Sequence, residues 1–255
     1  MKISINGLSV YYEVQGKGAP ILLLHGWGVD SGSLRPVSNL LKEQTESRVT
    51  ALDFPGFGYS DGLSAAWCVQ DYVQFLLAFM DELKVERAVL LGHSFGGRVA
   101  IKLAAQHPQR VDRLILVDSA GIKPPRTPAY YLRVAAAKTL NLTGRTFPGL
   151  QQTALFKKAQ SGLGSADYRR AGALRSTFVR VVNEDLRACL PLIHSPTLLI
   201  WGEKDRETPL SDARIMRDTI PGARLEVIPG AGHFSYLDNF AAFSELLLGF
   251  LRGAH

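Results

Sequence analysis

The chain has 255 residues, of which 46% are hydrophobic and 20% are charged, and its net charge is +6. This composition excludes disordered, collagen-like and disulfide-rich classes of protein. A globular chain of this length buries enough surface to fold without disulfides or a structural metal.

The first part of the chain has the pattern of a hairpin followed by alternating strands and helices. Two β-rich stretches flank Asn6 and Gly7, a pair that accepts the positive φ angles of a two-residue turn. Short apolar runs without polar alternation then indicate strands covered on both faces, at 21–24, 49–52, 88–91, 114–117, 197–201 and 225–228. Helix-like segments occur at 34–44, 67–83, 97–106, 211–219 and 240–251. This alternation predicts an α/β fold with a doubly wound, mostly parallel sheet that starts with an antiparallel hairpin.

The alternation stops at residue 121 and resumes near residue 191. Between these points lie several prolines, a glycine-rich patch and helix-like pieces such as 130–140, but no strand-like run. Segments of about 70 residues are large enough to form a small domain or lid. We therefore predict a helical cap at 121–190, inserted between the two parts of the core, 1–120 and 191–255.

The positive charge of the chain is concentrated in this predicted cap. Twelve residues of 121–190 are Lys or Arg and three are acidic, so that the segment has a charge of +9 and the rest of the chain is negative. Uniform basicity would indicate nucleic-acid binding, which we do not expect here. A local basic patch indicates one surface for an anionic partner or an anionic substrate. A set of solvated helix faces explains the same pattern equally well.

Signals for secretion or membrane insertion are missing from this sequence. The N-terminus has no apolar stretch of signal-peptide length, and other apolar runs end well before the roughly 20 residues needed to span a bilayer. Cys68 and Cys189 form no CxxC pair and have no histidine at ligand spacing. We expect a cytoplasmic protein with no membrane span, two reduced, buried thiols and no structural zinc.

A candidate nucleophile lies where a strand-like run leads directly into a helix-like segment. Residues 92–96 read GHSFG, which is the G-x-S-x-G pattern between a strand and a helix. The glycines leave room for a sharp turn, and the turn presents the hydroxyl of Ser94 at the head of the helix. The helix N-terminus favours developing negative charge. The pattern therefore predicts that Ser94 is a nucleophile.

A serine hydroxyl becomes a good nucleophile when a base takes its proton and an acid orients that base. His233 follows the last strand-like run in a glycine-flanked loop and is the predicted base. Asp205 also follows a strand-like run, and it lies between Ser94 and His233 in the chain, which is the expected order for a nucleophile elbow. Asp118, at the end of an earlier strand-like run, is the alternative acid.

Backbone N–H groups are well suited to bind the oxyanion of a tetrahedral intermediate because they are held in place before the reaction. The residue after the nucleophile, Phe95, supplies one such group. The second is expected in the loop after the run 21–24, where HGWG places the amide of Trp27 between glycines. We expect the side chains of Trp27, Phe95 and Phe234 to line the substrate site.

Five motifs resemble those of the α/β-hydrolase superfamily: HGWG at 25, DFPGFGYSD at 53, GHSFGG at 92, WGEKD at 201 and GAGHF at 230. The resemblance extends over 21–117 and 196–251 in order and spacing. The segment 121–190 is similar in position to the variable helical cap of that superfamily.

The resemblance implies an α/β-hydrolase fold and a hydrolase that needs no cofactor or metal. It implies a catalytic triad of Ser94, Asp205 and His233, with Trp27 and Phe95 as the oxyanion hole. HGWG together with DFPGFG is most similar to serine carboxylesterases, including the pimeloyl carrier-protein methyl ester esterases, whose basic cap meets an acidic carrier protein. GHSFGG departs from the GWSLGG of those esterases, and the substrate is therefore not carried over.

These features predict a serine carboxylesterase for small or medium acyl esters. One alternative is another reaction on the same triad, such as carbon-carbon cleavage of a diketone or hydrolysis of a thioester or lactone. The carbon-carbon hydrolases usually carry a Gly-Pro-Gly-Ala run after the first HG, and GVDSGS stands here instead. A second alternative is a ligand-binding receptor that keeps the triad and signals by movement of the cap, because a fold does not fix a function.

Overall fold

One mixed sheet organises the part of the chain that the structure describes. The structure is a computed structural model, and it describes residues 1–123 and 170–253 together with the isolated positions 135, 139, 140, 143, 146, 149 and 153. The strands are β1 (Lys2–Ile5), β2 (Leu8–Gln15), β3 (Ala19–Leu24), β4 (Ser47–Leu52), β5 (Ala88–His93), β6 (Val111–Val117), β7 (Thr197–Gly202) and β8 (Arg224–Ile228).

The strands lie in the order β1-β2-β4-β3-β5-β6-β7-β8. The pairs β1–β2 and β2–β4 are antiparallel, and the other pairs are parallel. Asn6 and Gly7 connect β1 to β2 with φ angles of 50° and 83°, as a tight hairpin turn requires. The predicted α/β fold with an N-terminal antiparallel hairpin is confirmed.

Helices cover both faces of this sheet. They are α1 (Arg35–Gln44), α2 (Val69–Glu82), α3 (Phe95–Gln106), α4 (Arg175–Asn183), α5 (Leu210–Thr219), α6 (Ser235–Asp238) and α7 (Phe240–Leu251). Residues of α2, α3 and α5 pack in one hydrophobic cluster, and residues of α1 and α7 pack in a second. Alternate residues of β3 belong to different clusters: Leu22 and Leu24 to the first, Ile21 and Leu23 to the second. Both faces of the strand are therefore apolar, which explains its unbroken hydrophobic run.

Much of the predicted cap, 121–190, lies outside the described residues, and so does most of the predicted helix 130–140. The described end of this segment contains α4. The two ends of the segment meet, because the N–H of Leu186 donates to the carbonyl oxygen of Gly121 at 2.9 Å. The division into core and cap stays a prediction.

Hydrogen bonds from within helix α4 and an ion pair just beyond it attach this helix to the rest of the described chain. The hydroxyl of Thr177 accepts from the N–H of Trp67 at 3.1 Å, and Nη1 of Arg180 donates to the carbonyl oxygen of Ala66 at 2.8 Å. Just beyond the helix, the carboxylate of Glu184 pairs with Nζ of Lys102 on α3. These contacts join α4 and the residue after it to the loop before α2 and to the second half of α3.

The two cysteines are free thiols, but the expectation that both are buried is wrong, because each is half-buried. Cys68 directly precedes α2, where its N–H donates to Oδ2 of Asp71 at 2.7 Å. Cys68 is the N-cap residue of α2, and this hydrogen bond lies at an exposed end of the helix. Among the described helices, none has the length and apolar character needed to cross a membrane.

The close approach of α3 to β3 generates a prediction about stability. A Cβ atom at Gly96 would lie 2.1 Å from the carbonyl oxygen of Leu24, and only movement of the backbone relieves such a contact. We expect Gly96→Ala to lower the free energy of unfolding by about 2 to 3 kcal/mol, measured by urea denaturation.

Gly249→Ala in α7 is the matched control, because a Cβ at that position meets nothing within 4 Å. Alanine is the better helix former, so we expect this variant to be more stable by up to about 1 kcal/mol. Equal stabilities for the two variants would contradict the close packing of α3 against β3.

Candidate active site

The sequence-predicted triad residues follow three parallel strands whose carboxyl ends meet at one edge of the sheet. Ser94 follows β5, Asp205 follows β7 and His233 follows β8. In open α/β sheets this edge is where ligands bind. The structure brings all three side chains together there.

Ser94 occupies a backbone conformation that most residues with side chains avoid. Its φ and ψ angles are 50° and −110°, and it stands between the last residue of β5 and the first of α3. The turn requires glycine on both sides, since a Cβ at Gly92 would lie 2.6 Å from the Cα of Gly97. The N–H of Ser94 donates to the carbonyl oxygen of Val117 at 3.1 Å, which fixes the turn to β6.

The side chains form a continuous hydrogen-bonded line. Oγ of Ser94 lies 3.0 Å from Nε2 of His233, and Nδ1 of His233 lies 2.9 Å from Oδ2 of Asp205. With the imidazole proton on Nδ1, His233 donates to the carboxylate and Nε2 is free to accept the serine proton. This arrangement can transfer a proton from the hydroxyl to the imidazole.

The charge of Asp205 shifts the pKa of the imidazole. Burial alone would lower the pKa of His233, but the hydrogen bond and the negative charge of Asp205 outweigh it and raise this pKa above its usual 6.5. Burial alone would likewise raise the pKa of Asp205, but hydrogen bonds from His233 and Thr208 outweigh burial and lower it. The carboxylate is therefore ionised at neutral pH and stabilises the imidazolium form of His233.

Thr208 supports Asp205 in a role that was not predicted from the motifs of the sequence. Its hydroxyl donates to Oδ2 of Asp205 at 2.6 Å, while the N–H groups of Glu207 and Thr208 donate to Oδ1 at 2.8 and 3.0 Å. Nε1 of Trp201 donates a hydrogen bond to the carbonyl oxygen of Thr208 at 2.7 Å. The available signal was the Asp-x-x-Thr spacing, in which an aspartate accepts hydrogen bonds from the residues that follow it.

The alternative acid, Asp118, makes no hydrogen bond to His233. Its carboxylate accepts from the N–H of Gly202 at 2.8 Å and from the N–H and hydroxyl of Ser235 at 3.0 and 2.6 Å. Burial raises the pKa of Asp118 to about 7. Because Gly202 precedes Asp205 and Ser235 follows His233, this carboxylate ties together the two loops that carry the candidate acid and base.

His93, between Gly92 and Ser94, fixes the backbone of the candidate base. Its Nε2 lies 2.9 Å from the carbonyl oxygen of His233. Burial lowers the pKa of His93 to about 3, so the ring is neutral and its Nε2–H donates to that carbonyl. This role was not predicted from the sequence, because it depends on a contact between residues far apart in the chain.

The backbone that carries the predicted oxyanion hole passes close to Ser94. Among the described residues, the N–H groups of Trp27 and Phe95 have no acceptor. A Cβ at Gly26 would lie 3.4 Å from the Cβ of Ser94, so the backbone before Trp27 passes close to the serine. Nδ1 of His25 donates to the carbonyl oxygen of Gly26 at 2.7 Å, and this carbonyl belongs to the same peptide unit as the N–H of Trp27. The buried imidazole therefore orients the amide that is predicted to bind the oxyanion.

Aromatic rings surround one side of the site. The ring of Trp27 lies 5.5 Å from that of Phe95, 4.9 Å from that of Phe57 and 5.1 Å from that of Phe178 on α4. These contacts bring α4, from the predicted cap, next to the predicted oxyanion hole. They form an apolar wall beside Ser94.

Phe234 is not brought together with Trp27 and Phe95. Its ring lies 5.0 Å from that of His93 and 6.1 Å from that of Tyr236, and it packs against the second hydrophobic cluster, on the other face of the sheet. It supports the loop that carries His233. Its expected contact with substrate stays a prediction.

The described residues contain no group of three or more His, Cys, Asp or Glu side chains arranged to hold a metal ion. The polar groups at this edge of the sheet instead pair with one another. The chemistry that their arrangement supports is proton transfer and nucleophilic attack.

Comparisons with known proteins find similar hydrolases over nearly the whole chain. The model of the α/β-hydrolase fold family matches residues 19–240. A 2-hydroxymuconate semialdehyde hydrolase from a Pseudomonas species is 30% identical over 97% of this chain and 92% of its own length. A pimeloyl-[acyl-carrier protein] methyl ester esterase from Nitrosomonas europaea is 31% identical over 90% of this chain and 94% of its own. The crystallised esterase from Exiguobacterium antarcticum has 27% identity and a TM-score of 0.77, with 98% of each chain covered.

The electrostatics of the site predict how its histidines titrate. We expect the imidazole of His233 to titrate above pH 6.5 and Asp205→Asn to move this transition to lower pH, because the amide removes the negative charge. NMR of the histidine ring protons measures both values. His93 is the internal control, since its buried ring stays neutral down to about pH 4 in both proteins. An unchanged pKa of His233 in the variant would contradict the coupling of the two side chains.

Proposed function

The chain belongs to the α/β-hydrolase fold family, and on that premise we propose that it hydrolyses carboxylic esters by way of an acyl-enzyme on Ser94. The observation that carries the proposal is the hydrogen-bonded line from Ser94 through His233 to Asp205, with distances of 3.0 and 2.9 Å. These distances lie within the range that proton transfer in a triad requires.

In the first half of the reaction, Nε2 of His233 takes the proton from Oγ of Ser94 as the oxygen attacks the ester carbonyl carbon. The carbonyl oxygen becomes an oxyanion, and the N–H groups of Trp27 and Phe95 donate hydrogen bonds to it. The ionised carboxylate of Asp205 stabilises the imidazolium that forms. The intermediate then collapses: the bond to the alcohol oxygen breaks, and Nε2 returns its proton to that oxygen.

In the second half, a water molecule replaces the alcohol. His233 takes a proton from the water, the hydroxide attacks the acyl carbon, and the bond to Oγ of Ser94 breaks after a second tetrahedral intermediate. Nε2 gives the proton back to the serine. The carboxylic acid leaves and the free site is restored, so that the residues already described supply every proton transfer.

The relatives support an ester as the substrate class. One is a methyl ester esterase that is 31% identical, and a crystallised esterase shares the fold at 27% identity. The apolar rings of Trp27 and Phe178 suit an apolar acyl group.

An anionic partner at the basic segment 121–190 stays a prediction. Two of its described arginines make local contacts: Arg180 donates to Ala66, and Arg187 pairs with Asp185. Most of the other basic residues of the segment lie outside the described residues. Hydrolysis of carrier-linked esters that is independent of ionic strength would count against electrostatic docking there.

Carbon-carbon cleavage is the second candidate function, because a semialdehyde hydrolase is 30% identical over nearly the whole chain. The same triad can serve such a reaction on a diketone. Product analysis distinguishes the two candidate functions. Hydrolysis of an ester gives an alcohol and an acid, whereas cleavage of a diketone breaks a carbon-carbon bond. Turnover of a diketone without turnover of esters would favour this second function.

The proposal predicts the effect of removing the nucleophile. We expect Ser94→Ala to lower kcat for p-nitrophenyl esters, tested from acetate to decanoate, by about 10⁴-fold or more. Ser64→Ala, at an exposed serine outside the site, is the control and should keep full activity. Activity that survives in Ser94→Ala would contradict the acyl-enzyme. A single slow turnover in the unmodified protein would favour a receptor role.

A further inference from the structure

A carboxylate lies beside the candidate base on the side that faces the substrate. Oε2 of Glu207 is 3.5 Å from Nε2 of His233, the same nitrogen that meets Oγ of Ser94. The backbone of Glu207 is held in place, because its N–H donates to Oδ1 of Asp205 at 2.8 Å. Glu207 therefore sits two residues beyond the candidate acid, with its side chain directed to the opposite nitrogen of the ring.

The proposed reaction brings the leaving alcohol close to this carboxylate. Nε2 of His233 must donate its proton to the alcohol oxygen, which requires a separation of about 3 Å. Since Glu207 lies 3.5 Å from the same nitrogen, the alcohol oxygen comes within about 6 to 7 Å of the carboxylate. Substituents of the alcohol can come closer still.

No cation of the described residues neutralises Glu207. Its ion-pair partner there is His233, which is neutral when it acts as the base. Lys204 and Arg206 in the same loop are exposed, and neither forms an ion pair with Glu207. The negative charge is therefore available to the substrate, although solvent screens it because 62% of the side chain is exposed.

We propose that Glu207 determines specificity for the leaving group and favours esters of cationic alcohols over neutral or anionic ones. This inference rests on the proposed ester hydrolysis and adds a substrate class to it. A cation at the leaving group gains attraction to the carboxylate, and an anion is repelled. Because Glu207 lies near the leaving alcohol, the charge of the acyl group has less influence on the rate of hydrolysis than the charge of the alcohol.

Two esters of equal shape test the inference. They are 3-(trimethylammonio)phenyl acetate and 3-tert-butylphenyl acetate, which differ in charge at one atom. We measure the ratio of kcat/KM for the cationic over the neutral ester in the unmodified protein, in Glu207→Gln and in Glu43→Gln. Comparing ratios between proteins cancels the different intrinsic reactivity of the two esters. Each ratio is taken where kcat/KM no longer changes with pH on the alkaline side, so that the protonation of His233 is the same in every variant.

We expect the ratio to fall by about three- to tenfold in Glu207→Gln, as the screened attraction of two charges at this separation implies. Glu43→Gln removes the same charge from an exposed position on α1, and we expect it to leave the ratio unchanged. Raising the ionic strength should reduce the preference of the unmodified protein.

The outcomes separate this inference from the proposed function. An equal ratio in Glu207→Gln and the unmodified protein would overturn the role of Glu207 while ester hydrolysis stands. Hydrolysis of the neutral ester without hydrolysis of the cationic one would overturn it too. If the unmodified protein hydrolyses neither ester faster than Ser94→Ala does, the proposed function fails, and the inference fails with it.

Discussion

The site depends on the strained turn that carries Ser94. Its φ of 50° and ψ of −110° are unfavourable for a residue with a side chain, and such a conformation persists only where the surrounding structure enforces it. Gly92 and Gly96 allow the close backbone contacts of the turn, and the packing of α3 against the sheet holds it. Strain here directs the hydroxyl toward His233 instead of into the helix.

Buried polar groups around this turn each hold another part of the site. Asp118 joins the loop after β7 to the loop after β8, and His93 fixes the carbonyl oxygen of His233. His25 orients the peptide that ends in the amide of Trp27. Their hydrogen bonds keep the neighbouring loops in one geometry before a substrate binds. Of the buried polar atoms of these three side chains, Nδ1 of His93 is the one without a partner among the described residues.

Sequence patterns predicted the fold and placed Ser94, Asp205 and His233 just after the strands that precede them in the structure. Apolar runs covered on both faces indicated the parallel strands, and the chain order of Ser94, Asp205 and His233 indicated which side chains would meet. The supporting groups could not be found in this way. The contact of His93 with His233 joins residues 140 positions apart. The contact of Glu207 with His233 depends on how the loop after β7 is folded. Phe234 has the apolar character of a substrate contact, yet its ring packs toward the other face of the sheet.

The most direct test of this account is to find which residue reacts with a p-nitrophenyl alkylphosphonate. An activated serine attacks the phosphorus, expels p-nitrophenolate and keeps a tetrahedral adduct that resembles the first intermediate. Peptide mass spectrometry locates the adduct. We predict one adduct per chain, on Ser94, formed far more slowly in His233→Ala. An adduct on another residue, or an unmodified Ser94 in the folded protein, would contradict the account.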